Sequence, residues 1–60
     1  MLRVCIKFTS GVNQEYKRVL EVWECEGKTH IRRYGKNMEQ SSVLTLNTQD
    51  IEFQHISVDC

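Results

Sequence analysis

The sequence predicts a mainly β protein: a small five-stranded antiparallel sheet or barrel-like fold, in one domain spanning residues 1–60, completed by self-association. Three observations carry that prediction. Residues 2–9 alternate strictly, with Leu2, Val4, Ile6 and Phe8 on one side and Arg3, Cys5, Lys7 and Thr9 on the other. That period of two is the mark of a half-buried strand. Similar short alternating runs recur toward the C-terminus. The chain has only 60 residues, so it buries about 60% of the surface its unfolded form exposes and has a thin core.

The first strand covers 2–9 and is followed by a turn at Ser10-Gly11. Residues 14–26 read two ways. Tyr16, Val19, Leu20 and Trp23 fit one helix face, with Asn13 as cap and Gly27 as stop, which gives an α+β order βαβββ. Val19, Val22, Trp23 and Cys25 are better strand formers. The preferred reading is a hairpin of strands 16–25 and 28–34 around Glu26-Gly27. Its register sets Cys25 against Lys28, Trp23 against His30, Val22 against Ile31, Glu21 against Arg32 and Val19 against Tyr34. That arrangement yields apolar pairs and an opposite-charge pair, although Glu is not a favoured first residue in such a turn.

Strands are expected at 42–47 and 51–58. With Asn47–Asp50 as a four-residue loop, Leu46 faces Ile51 and Leu44 faces Phe53. Beyond Phe53 the apolar phase slips by one, to Ile56 and Val58, which calls for a bulge near Gln54-His55.

Proteins this small usually need a disulfide, a metal or a partner subunit for stability. The three cysteines Cys5, Cys25 and Cys60 are an odd number, which disfavours a closed disulfide framework. No Cys-x-x-Cys or His-x₃₋₅-His spacing suggests zinc, and no cofactor is expected. The first twenty residues contain no long apolar run of the kind a signal peptide needs. A cytoplasmic protein with reduced thiols is the natural expectation. The remaining support is a second copy, so a homo-oligomer (a dimer or larger) is expected, with no membrane association.

All eight Lys and Arg residues lie in the first 36 positions beside four Glu, whereas the last 24 positions hold four acids and no Lys or Arg. The strongest candidate site is the basic run from Lys28 to Lys36. As a strand it sets Lys28, His30, Arg32 and Tyr34 on one face, with Trp23 across from His30. Together with Arg33 and Lys36, these residues combine cationic forks with aromatic planes, a set suited to phosphates and stacked rings. The competing reading is a solvated face with Arg32 paired to Glu21. Trp23 itself is expected in the core or at an interface. A net charge of zero and a pI near 6.7 argue against a nucleic-acid binder. No phosphate-loop pattern is present. Catalysis is disfavoured, because a small sheet leaves little room for a water-excluding pocket.

These features favour a non-enzymatic binding protein that sequesters an anionic, nucleotide-type small molecule. Its size fits a phage- or mobile-element-type inhibitor of host machinery. The alternative is a protein-binding inhibitor or adaptor that docks through a strand edge or the 36–42 loop, with Met38, Val58 and Cys60 as contact candidates. A nucleic-acid-binding regulator ranks below both.

Overall fold

The computed structural model describes residues 1–35 and 40–58. The five strands are β1 (Leu2–Phe8), β2 (Asn13–Cys25), β3 (Lys28–Tyr34), β4 (Ser41–Asn47) and β5 (Ile51–Val58), with a 3₁₀ turn at Thr48–Asp50. They form one sheet in the order β4-β3-β2-β1-β5, and every neighbouring pair is antiparallel. The expected five-stranded antiparallel sheet is therefore present, and 14–25 is strand rather than helix. The sheet is not closed into a barrel, since β4 and β5 are its two edges.

β2 begins three residues before its expected start because Asn13, Gln14 and Glu15 pair with Lys7, Ile6 and Cys5. The β1–β2 turn closes with Phe8 N–H on Val12 O at 2.8 Å and Gly11 N–H on Phe8 O at 2.9 Å. Gly11 takes φ +93° there, a region open to glycine without a Cβ clash.

Long β2 serves both halves of the sheet. Val19 pairs with Leu2 on one side and Arg33 on the other, and the pairing is irregular between Leu2 and Val4 and between Val19 and Glu21. Arg18, inside the first of these irregularities, has φ +59°. Such bulges bend a strand and increase its twist.

The β2–β3 hairpin has the expected register from Cys25↔Lys28 through Glu21↔Arg32. The expected Val19–Tyr34 pair is wrong: Leu20 is an extra residue, so Val19 meets Arg33. The turn residues Glu26 and Gly27 have φ +52° and +75°, the double left-handed geometry of a type I′ turn.

The expected β4–β5 hairpin is also wrong. Leu44 and Leu46 pair with Ile31 and Thr29, while β5 pairs with β1. The 3₁₀ turn carries the chain from one sheet edge to the other. Thr48 N–H donates to Gly27 O at 3.0 Å, and Thr9 N–H to Asp50 O at 2.8 Å, so the turn is fastened to both hairpin ends and the sheet must coil.

The phase slip in β5 is real but earlier than expected. Phe8 pairs with Ile51 and Lys7 with Phe53, which makes Glu52 the extra residue. Phe53 thus falls on the outer face with Lys7, and Ile56 and Val58 share the inner face with Val4 and Leu2.

The core is Val4, Ile6, Val19 and Ile31, each at most 1% exposed. Leu2, Phe8, Val22, Leu44, Leu46 and Ile51 pack around it. Among the described residues, Thr29 is the polar exception in the interior, and its hydroxyl lies 2.8 Å from that of Thr48.

Candidate ligand-binding face

Alternation in β3 sorts the basic run. Thr29 and Ile31 are buried, so Lys28, His30, Arg32 and Tyr34 belong to the outer face. β2 adds Trp23 and Glu21 opposite His30 and Arg32, and β4 adds Thr45 and Val43.

Trp23 is not a core residue. It is 36% exposed and stacks on His30, with ring centroids 5.1 Å apart and 23° between the planes. His30 Nδ1 lies 3.1 Å from Thr45 Oγ1. The Arg32 guanidinium carbon sits 5.7 Å from the Trp23 ring centroid, within the range of a cation–π contact. Arg32 Nη1 is also 3.1 Å from Glu21 Oε1. The aromatic platform and the competing Arg32–Glu21 pair therefore coexist. Lys28 Nζ donates to Asn47 Oδ1, at the other end of this face.

Arg33 leaves the group. It shares the inner side of β3 with Ile31, and its guanidinium carbon lies 5.6 Å from the Tyr16 ring. Arg18 joins it at that end, with Nε donating to Tyr34 O at 3.4 Å. The sequence reading missed Tyr16 and Arg18, because their approach depends on the β2 bulges. It missed Thr45 because the β3–β4 register is a tertiary choice. Lys36, Met38 and Cys60 lie outside the described residues, and Val58 is exposed on edge strand β5.

A second feature lies on the outer face of β1, β2 and β5. An open depression of about 380 Å³ is lined by Cys5, Lys7, Glu15 and Phe53, among others. Cys5 Sγ donates to Glu15 Oε2 at 3.8 Å. Lys7 Nζ is 4.0 Å from Glu52 Oε1, and this ion pair links the base-rich and acid-rich halves of the chain. Cys25 is exposed beside the hairpin turn and faces Lys28.

Among the described residues, no group of three or more His, Cys, Asp or Glu is placed to hold a metal. Among them, no helix is long and apolar enough to cross a membrane. No family model, curated protein or solved structure matches the chain.

Proposed function

We propose that this protein acts by non-enzymatic, stoichiometric binding of an anionic ligand with a planar ring, of nucleotide type, on the Trp23–His30–Arg32 face. The observation that carries this reading is the half-exposed Trp23–His30 stack with a guanidinium beside it. A planar ring extends such a stack, and stacking on an aromatic side chain contributes about 1–3 kcal/mol per base. Arg32 and Lys28 then supply charge-assisted hydrogen bonds to phosphate oxygens. Neutral overall charge favours a small anion over a long polyanion, whose affinity rests on many phosphate contacts.

Trp23 is the single tryptophan of the chain, so its fluorescence reports on the site directly. Titration with mononucleotides and cyclic dinucleotides is expected to quench it saturably. Arg32→Ala should weaken binding by about tenfold, equivalent to roughly 1.4 kcal/mol. Unchanged emission up to millimolar concentrations of every nucleotide tested would refute the reading.

A protein-binding inhibitor or adaptor is the second reading, and the two open sheet edges favour it. It predicts partner capture that survives Arg32→Ala and is lost when an edge strand is altered.

A further inference from the structure

We infer that β5 is a self-docking edge, and that two copies join β5 to β5 antiparallel about a twofold axis at Ile56. This inference does not rest on the ligand-binding reading, which uses the opposite half of the sheet.

Ile56 and Val58 pair with Val4 and Leu2, so they belong to the core side of the sheet. Yet they are 42% and 72% exposed, and Phe53 on the outer face is 61% exposed. Among the described residues, the core side of the sheet is therefore left uncovered at β5. Natural sheet edges are commonly blocked by Lys, Pro or inward charges. Residues 53–58 contain none of these, and Glu52 lies at the bulge with Lys7 nearby. The other edge, β4, is mostly Ser, Thr and Asn around a lone exposed Val43.

The occupant follows from self-complementarity. A continuous sheet joins like faces, so residues of equal parity must oppose each other across the axis. With the axis at Ile56, Ile56 meets Ile56 of the second copy, His55 meets Ser57 and Gln54 meets Val58. No like charges are opposed. The row Tyr16–Val4–Ile56 then continues into the Ile56–Val4–Tyr16 row of the second copy, giving one uninterrupted core-side row. The five residues 54–58 bury less than the roughly 1,600 Å² of a standard interface, the size class of weak, reversible association.

Sedimentation equilibrium under reducing conditions tests this. Wild type should shift from the 7.1 kDa monomer to twice that mass as concentration rises through roughly 1–100 µM. Ile56→Lys should weaken association at least tenfold, and Val43→Lys should leave it unchanged. Because Ile56→Lys places a charge on the core side of the sheet, a second variant set separates folding from association. In a background with Cys5, Cys25 and Cys60 replaced by Ser, Ile56→Cys should form a disulfide-linked dimer on mild oxidation, and Val43→Cys should not. A wild type that stays monomeric at roughly 100 µM overturns the inference and leaves the edge to a different protein. So does association that Val43→Lys abolishes, or crosslinking at position 43 but not at 56.

Discussion

The hydroxyls of Thr29 in β3 and Thr48 in the 3₁₀ turn lie 2.8 Å apart, although the residues are nineteen positions apart in the chain. Thr29 is buried, and a buried hydroxyl without a partner costs about 1–3 kcal/mol. This contact, with the Thr48 N–H bond to Gly27 O, holds the turn that carries the chain from β4 to β5. Thr48→Val is expected to destabilise by about 1–2 kcal/mol, and Thr29→Val together with Thr48→Val by less than the sum of the singles. Urea midpoints of the four proteins in the cycle decide it; strict additivity would show that the hydroxyls do not act as a pair.

Glu26 occupies a left-handed position at φ +52°, where a residue with a Cβ is strained and Asn is better tolerated. Glu26→Asn, giving Asn-Gly in a type I′ turn, should stabilise by about 0.5–1 kcal/mol. For a domain of this size that corresponds to a melting-point rise of roughly 2–8 °C. Thermal unfolding followed by circular dichroism measures it, and a fall in melting temperature would contradict the turn geometry.

Arg32 divides its contacts between Glu21 and Trp23. Both charged side chains are about half exposed, so the ion pair contributes at most about 1 kcal/mol. Glu21→Gln should therefore change stability little. It should also free the guanidinium and tighten nucleotide binding several-fold, in the opposite direction to Arg32→Ala. If both substitutions weaken binding equally, Glu21 contributes to the site by positioning Arg32 rather than competing for it.

Ile31 is fully buried and pairs with Val22 on one side and Leu44 on the other. Ile31→Ala removes about 2–5 kcal/mol. A 60-residue chain holds only about 3–9 kcal/mol in all, at roughly 0.05–0.15 kcal/mol per residue. The variant is expected to lose its cooperative urea transition or to unfold below about 1 M urea. A midpoint close to wild type would mean that the core lies elsewhere.

Particular residues show how far alternation reaches. Leu2, Val4, Ile6 and Phe8 announced β1, and Cys25 through Glu21 set the hairpin register, because a period of two and a tight turn are local properties. The Trp23–His30 neighbourhood and the Arg32–Glu21 pair were readable for the same reason: they sit across one hairpin. Leu44 and Phe53 misled because short alternating strands accept more than one partner. Nothing near them records that Thr48 is tied to Gly27 and Thr29. Alternation within β3 sets Arg33 on the opposite face from Arg32; the bulge at Leu20 brought Val19 against Arg33 rather than Tyr34, and the bulge at Glu52 moved Phe53 onto the outer face, since one extra residue inverts every later side chain.

Residue order alone thus determined the strands, their core-facing sides up to each bulge, and the pairs formed within the β2–β3 hairpin. Only the folded sheet decided that β4 and β5 part to opposite edges, where the bulges fall, and which apolar side chains remain uncovered. The physical reason is that strand pairing between distant segments is set by the buried contacts of the whole molecule, here four core side chains and one threonine pair.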